Sequence, residues 1–170
     1  MAKKSISLEF PWTQDNYIRA GMIAYNYKMN YSYKKYVGWF FIGLILVGMI
    51  ATLRTDDYAL LYLGVILSIY WYYIKGMTQK SRLKKTFLKE GISGVKMKFN
   101  IDNRGVYING NFVPWSQVSL VVVHPNGFLL ERPEGYPFLP ADAFEDDSAV
   151  EGFLEILEKN NIMLKNTKRA

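Results

Sequence analysis

Residues 37–53 read VGWFFIGLILVGMIATL and residues 58–74 read YALLYLGVILSIYWYYI, with only the polar segment RTDD between them. Each run is seventeen residues long and contains no charged side chain. At 1.5 Å of rise per residue such a helix is about 26 Å long, which approaches the roughly 30 Å thickness of a bilayer core. We therefore predict a transmembrane hairpin at residues 36–74, with spans at 36–53 and 58–74. The alternative is a buried hairpin in a soluble domain, but a chain of 170 residues has little protein to cover both helices on every face.

The residues that flank the two runs predict how the hairpin is oriented. Lys28, Lys34 and Lys35 precede the first run and six basic residues follow the second, whereas the connecting turn holds one Arg and two Asp. Basic residues concentrate on the cytoplasmic side of membrane spans. We therefore expect a multi-pass protein of the cell (plasma) membrane with both termini in the cytoplasm. The first thirty residues lack the continuous apolar segment that is typical of a cleavable signal peptide.

The segment that follows the second run is a candidate surface for anionic lipid. Residues 75–89 contain six basic side chains and no acid, and basic residues beside a span gain about 1 kcal/mol each from anionic headgroups. The candidate lipid contacts are Lys75, Lys80, Arg82, Lys84, Lys85, Lys89, Lys96 and Lys98. We expect no nucleic-acid partner, because attraction to the bilayer explains this position more simply. A signal that only sets topology remains an alternative.

The remainder of the chain predicts one small domain of sheet and helix. Residues 6–10 and 95–101 alternate apolar and polar side chains, as half-buried strands do. The dipeptide Asn-Gly at 109–110 is typical of a tight β-hairpin turn. Ser148 and Glu151 have the spacing of a helix capping box. The helix after them has an apolar stripe formed by Val150, Phe153, Leu154 and Leu157. We predict a small antiparallel sheet capped by this C-terminal helix.

The chain thus divides into five predicted segments. A cytosolic strand and amphipathic helix occupy residues 1–35, and the hairpin occupies 36–74. A basic juxtamembrane stalk follows at 75–91, then a C-terminal domain at 92–160 and a tail at 161–170. The fold class that we expect is an α+β membrane protein.

No pattern in the sequence specifies a catalytic or metal centre. Cysteine is absent and His124 is the only histidine, so a zinc site would lack its usual ligands. The acidic cluster at Asp142, Glu145, Asp146 and Asp147 does not have the spacing of a calcium-binding loop. We therefore predict no enzyme, no cofactor and no bound metal. An enzyme of unknown reaction that uses His124 or the acidic cluster remains the alternative.

The order of several short motifs resembles the bacterial YcxB-like family of membrane proteins. The motifs are WTQDNY at 12–17, the two apolar runs, VPWSQV at 113–118, FLL at 128–130 and FLPADAF at 138–144. The resemblance covers nearly the whole chain. It implies a cytosolic domain similar to the pleckstrin-homology fold, a bent sheet capped by a helix, and no established catalytic residues. In such a domain we expect Trp115 to pack in the core near the bend at Pro114.

Two hypotheses for function arise from these features. In the first, the hairpin anchors a pleckstrin-like domain at the inner leaflet, where it binds an unknown protein partner or regulates a membrane complex. In the second, the basic segment makes the protein a sensor of anionic lipid. Small residues at Gly48 and Thr52, and again at Gly64 and Ser68, favour close packing within the hairpin and leave a homo-oligomer open.

Overall fold

The computed structural model describes residues 5–91 and 93–167, which form two compact units. One of them, the sheet unit, takes the described residues up to Ala24 and those from Thr86 onward. The other, the helical unit, is Tyr25–Lys85. The chain therefore leaves the sheet unit, builds the helical unit and returns to the sheet unit.

The first sheet joins strands that lie far apart in the sequence. Strand β1 (Ile6–Pro11) pairs antiparallel with β2 (Lys96–Asp102). Strands β3 (Gly105–Ile108) and β4 (Asn111–Pro114) follow as antiparallel neighbours, which gives the order β1-β2-β3-β4. Each strand of the first pair buries alternate side chains, as the period-two pattern predicts.

Local contacts close both turns of this sheet. Asp102 Oδ1 accepts hydrogen bonds from the backbone N–H groups of Arg104, at 2.8 Å, and Gly105, at 3.1 Å. In the next turn Asn109 and Gly110 have φ values of 50° and 89°. Two successive positive φ values match the twist of the flanking strands, so the predicted Asn-Gly turn is confirmed.

The second sheet contains one parallel pair. Strands β5 (Leu120–His124), β6 (Gly127–Glu131) and β7 (Phe138–Pro140) are antiparallel neighbours. Strand β8 (Met163–Asn166) pairs parallel with β5, and the order is β7-β6-β5-β8.

One core lies between these sheets and the helix α5 (Asp147–Lys159). Phe153 and Leu157 of α5 are fully buried, while Val150 and Leu154 pack against the margin of the same cluster. The predicted apolar stripe is therefore confirmed as the face that covers the sheets. Phe128 and Phe153 meet edge to face, with ring centroids 5.1 Å apart.

The sheet unit is larger than the domain predicted at residues 92–160. Strand β1, assigned to the segment 1–35, belongs to it, and β8 lies in the predicted tail at 161–170. Because β8 is parallel to β5, the prediction of a wholly antiparallel sheet is also wrong. Alternation identifies a strand but not its partner, and the four residues of β8 are too few to show alternation.

The predicted capping box at the start of α5 is wrong by two residues. The N-cap is Asp146, whose Oδ1 accepts from the backbone N–H of Ala149 at 2.8 Å. Ser148 lies in the first turn, where its hydroxyl donates to Asp146 Oδ1 at 2.8 Å. These hydrogen bonds, led by that of Ser148, lower the pKa of the Asp146 carboxyl. The helix begins earlier because Asp is as good an N-cap as Ser.

The helical unit contains two antiparallel helical segments that are long and apolar enough to cross a membrane. Helix α1 (Gln14–Asn30) leads into a short 3₁₀ turn (Tyr33–Tyr36) and then α2 (Val37–Thr55). Helix α3 (Ala59–Ile69) continues through a π-helical turn (Tyr70–Ile74) into α4 (Lys75–Glu90). The predicted second span and the predicted basic stalk are thus one long helix with a π turn at their junction.

Glycine lets α2 and α3 approach closely. A Cβ atom built on Gly48 would lie 2.6 Å from the backbone nitrogen of Leu61, and one on Gly64 would lie 2.9 Å from that of Ile45. At the turn, Thr52 Oγ1 donates to the carbonyl oxygens of Gly48 and Asp57, at 3.0 Å each. The small residues therefore serve packing within one hairpin, the first of the two uses that the sequence allows.

We expect Gly48→Ala to destabilise the hairpin, because the new methyl group meets the backbone of Leu61, which has no rotamer to change. Overpacking of this kind costs about 1–3 kcal/mol, against a gain in helix propensity of about 1 kcal/mol. Gly43→Ala is the matched control, since a Cβ there has nothing within 4 Å. Thermal denaturation of the full chain in detergent should give a lower Tm for Gly48→Ala than for Gly43→Ala. Equal Tm values would contradict the close packing.

A second pair of variants tests the start of α5. Asp146→Ala should cost about 1 kcal/mol, the usual loss when an N-cap side chain is removed. Glu151→Ala should have little effect, whereas the capping box that the sequence suggested would make it costly. Thermal denaturation of both full-length variants distinguishes the two caps, and a larger loss for Glu151→Ala would restore the capping box.

Candidate functional site

Six of the eight predicted lipid contacts lie on α4. Five of them, Lys80, Arg82, Lys84, Lys85 and Lys89, are exposed, while Lys75 is partly buried. At 3.6 residues per turn the exposed charges fall on more than one side of the helix. They therefore form a diffuse cationic surface.

The other two predicted contacts, Lys96 and Lys98, lie on β2 and share an acidic partner. Their Nζ atoms are each 3.2 Å from a carboxylate oxygen of Glu9 on the neighbouring strand. The two ammonium groups, Lys98 first, lower the pKa of Glu9. The pair therefore presents one net positive charge. It belongs to the sheet unit, whereas Lys75, Lys80, Arg82, Lys84 and Lys85 belong to the helical unit.

A cavity of about 400 Å³ lies in the helical unit just before the first span. Tyr25, Lys28 and Met29 line it from the last turns of α1, and Ser32 and Lys34 line it from the segment that enters α2. Ser32 is the N-cap of the 3₁₀ turn, with its hydroxyl oxygen accepting from the backbone N–H of Lys34 at 3.4 Å. This cap ends α1 and turns the chain toward the apolar helix.

Lys75, at the start of α4, lies beside the same cavity. Its Nζ lies 3.7 Å from Sδ of Met29, a residue that lines the cavity, and 3.3 Å from the centroid of the Trp71 ring. The positive charge of Lys34 repels the Lys75 ammonium. Within the described residues the ammonium of Lys75 has no carboxylate partner. Its contacts are thus a thioether, which is a weak acceptor, and an aromatic face.

The acidic residues of the helical unit lie away from this region. The only acidic residues of Tyr25–Lys85 are Asp56 and Asp57, which lie in the turn at the other end of α2 and α3. Burial raises the pKa of the Tyr25 hydroxyl, and Tyr70 adds to the shift, so the phenol keeps its proton and remains a donor. The site therefore collects ammonium and hydroxyl donors.

A second cavity, of about 530 Å³, lies in the sheet unit around Arg132 and Tyr136. Nη2 of Arg132 is 2.9 Å from Oε2 of Glu134, and the Tyr136 hydroxyl donates to Oε1 of Glu131 at 3.2 Å. Although Nε of Arg132 has no hydrogen-bond partner, two carboxylates offset its charge. This cavity is a weaker candidate for an anion.

The residues considered for an enzyme have local structural roles. Nδ1 of His124 accepts from the backbone N–H of Asn126 at 3.1 Å, and burial lowers the pKa of the imidazole. Asp142 lies 3.7 Å from Nη1 of Arg19, and Asp146 caps α5. Among the described residues there is no group of three His, Cys, Asp or Glu that could hold a metal ion.

Trp115 and Pro114 lie where the chain passes from the first sheet toward the second. Pro114 ends β4, and Trp115 begins a short 3₁₀ turn with 4% of its surface exposed. Its Nε1–H donates to the carbonyl oxygen of Asp102 at 2.9 Å. The buried indole thus has its one donor satisfied, as a core residue at a bend requires.

Sequence analysis missed Tyr25, Met29 and Ser32 as members of one site with Lys75. Met29 and Lys75 are 46 positions apart, and no local motif relates them. The signal that could have joined them is the hairpin itself, because antiparallel spans return the chain to the side from which it started. Lys28 and Lys34 were interpreted only as topology signals.

The fold defines an α+β protein with two helices long and apolar enough to cross a membrane. Comparison with family models, curated proteins and solved structures gives no match for this chain. Its resemblance to YcxB-like proteins therefore remains an inference from the order of its motifs.

Proposed function

We propose that this is a YcxB-like integral protein of the inner membrane that presents a cytosolic, pleckstrin-like unit for protein interaction or for regulation of a membrane complex. The observation that carries the proposal is the pairing of β1 with β2. Six residue pairs join positions 6–11 to positions 96–101, and both apolar helices lie between these strands in the chain.

This pairing constrains membrane topology. Residues of one sheet must be on the same side of a membrane, so the chain between β1 and β2 crosses it an even number of times. Two spans satisfy that condition, and only 11% and 6% of the residues in their most apolar stretches are buried by protein. The basic flanks then favour the cytoplasm for the sheet unit.

The architecture of the sheet unit supports the pleckstrin-like assignment. Four antiparallel strands, then three more, and then a helix that covers the shared core agree with the sheet capped by a helix that the resemblance implies. The parallel strand β8 is an addition to that plan.

A protein partner is favoured by exposed apolar groups at the sheet edges. Phe112 on the edge strand β4 is 46% exposed, and its ring centroid lies 4.8 Å from that of Tyr107. Met163 and Leu164 are exposed on β8, which is an edge strand of the second sheet. Sheet edges bind extended peptides through main-chain hydrogen bonds, with side-chain contacts for specificity.

The absence of cysteine makes the topology directly testable. Single substitutions Ser7→Cys, Thr55→Cys and Asn126→Cys sample β1, the hairpin turn and the β5–β6 turn, and all three side chains are exposed. In intact cells a membrane-impermeant maleimide should label Thr55→Cys alone. Ser7→Cys and Asn126→Cys should react only after permeabilisation. Labelling of Ser7→Cys and Asn126→Cys on opposite sides, or equal access to all three, would contradict the proposal.

Site-specific photo-crosslinking tests the protein-interaction role. A benzophenone amino acid at position 112 should give a discrete crosslinked product in living cells, because this edge faces a partner. The same group at position 103, in the exposed turn between β2 and β3, is the control. The interaction at β4 would be rejected if position 112 gave no discrete product or the same products as position 103.

Recognition of anionic lipid is the second candidate function. Its specific support is the partly buried Lys75 without a carboxylate partner and the basic cavity beside it. Glu9 offsets one of the two positive charges of Lys96 and Lys98, which favours the helical unit over the sheet unit for this role.

A further inference from the structure

We infer that Lys28, Lys34 and Lys75, together with Tyr25 and Ser32, form a binding site for the phosphate of an anionic phospholipid headgroup. The inference rests on the proposed function in one respect, namely that the hairpin spans a bilayer. It goes beyond that proposal by assigning a ligand class to a defined cavity. The three lysines are here called the lysine triad.

Three elements of one unit build the site. Helix α1 supplies Tyr25 and Lys28, the segment before α2 supplies Ser32 and Lys34, and the start of α4 supplies Lys75. The π turn at Tyr70–Ile74 closes with a hydrogen bond from the Lys75 N–H to the Tyr70 carbonyl. Such turns are rare inside helices and recur at functional sites.

The contacts of Lys75 indicate that its partner is an anion from outside the chain. A partly buried ammonium normally gains a carboxylate or several oxygen acceptors, because burial without them is unfavourable. Lys75 instead rests on the Trp71 ring and Met29 sulfur, which fix its position and leave its N–H donors without an oxygen acceptor in the described chain. The positive charge of Lys34 also repels this ammonium. A bound anion would relieve both conditions.

The chemistry of the lining favours phosphate. The cavity is lined by the ammonium groups of Lys28 and Lys34 and by the hydroxyl groups of Tyr25 and Ser32. Lys75 lies beside it, against Met29, and no acid lies between residues 25 and 55. A phosphate group presents several oxygen acceptors, which suit such a set of donors. A metal cation would be repelled by the same charges.

The position along the helices favours a lipid headgroup as the source of that phosphate. Lys34 lies three residues before α2 begins at Val37, and Lys75 directly follows the π turn that ends at Ile74. Aromatic rings typical of headgroup depth surround these ends at Tyr33, Tyr36, Trp39, Tyr70 and Tyr73. A choline headgroup would place a second cation near the lysine triad, so the site should prefer an anionic lipid.

The experiment uses the full chain purified in a mild neutral detergent. Phosphatidylglycerol, phosphatidylcholine and inorganic phosphate are titrated separately, and bound molecules are counted by native mass spectrometry. We expect one tightly held phosphatidylglycerol per chain, much weaker binding of phosphatidylcholine, and no displacement of phosphatidylglycerol by millimolar phosphate. Displacement by inorganic phosphate would replace the lipid by a soluble ligand and overturn the assignment to a headgroup.

The matched variants separate this site from general attraction between charges. Replacing the lysine triad by Gln should weaken phosphatidylglycerol binding on the order of tenfold or more. The control replaces Lys80, Lys84 and Lys85 by Gln, which removes the same charge from exposed positions of α4, and it should retain the tight site. Equal loss in both variants, or no loss in the first, would overturn the inference. Lys34→Gln alone serves if the triple variant does not fold, and it should weaken binding in the same direction.

Failure of this inference is distinguishable from failure of the proposed function. If cysteine labelling places Ser7 and Asn126 on the cytoplasmic side and Thr55 outside, the membrane topology stands. Absence of a tight phosphatidylglycerol site would then reject the lipid site alone.

Discussion

The ladder between β1 and β2 is the constraint on which the rest of the molecule depends. It joins residues 6–11 to residues 96–101, so everything between them is an excursion that must end where it began. Two apolar helices meet this condition because an antiparallel pair returns the chain to its starting side. The long loop costs conformational entropy only in proportion to the logarithm of its length. The six-residue ladder and the core that it helps to enclose offset that cost.

Return of the chain also concentrates positive charge. Both ends of the hairpin carry lysines for topology, and their meeting places Lys75 beside the cavity lined by Lys28 and Lys34. Like charges repel, and a nearby acid would offset that repulsion. The acids of the helical unit lie at its far turn. The Trp71 ring and Met29 sulfur hold Lys75 in place without neutralising it. A structural requirement of the hairpin thereby becomes a candidate site for an anion.

Much of the fold follows from local patterns. The apolar runs, the period-two strands around Leu8 and Phe99, the Asn-Gly turn and the stripe of α5 each reflect interactions within a few residues. Local patterns did not show that β1 and β8 belong to the sheet unit, because their partner strands lie far away in the sequence. Strand β8 pairs with the edge of β5. Glu9 offsets one of the two positive charges of Lys96 and Lys98, because the register sets Glu9 opposite Lys98. Neither relation can be recognised from a short segment of the sequence.

The sequence by itself determined the strands with clear alternation, the C-terminal helix, the two apolar helices and the excess of basic residues at their outer ends. These properties depend on hydrophobicity and spacing along one segment, which are local quantities. Tertiary structure alone decided which strands share a sheet and which glycines allow α2 and α3 to touch. It also decided that Lys96 and Lys98 pair with Glu9. The reason is that pairing and burial are properties of two segments in space. Met29 and Lys75, 46 positions apart, become neighbours only when the hairpin closes.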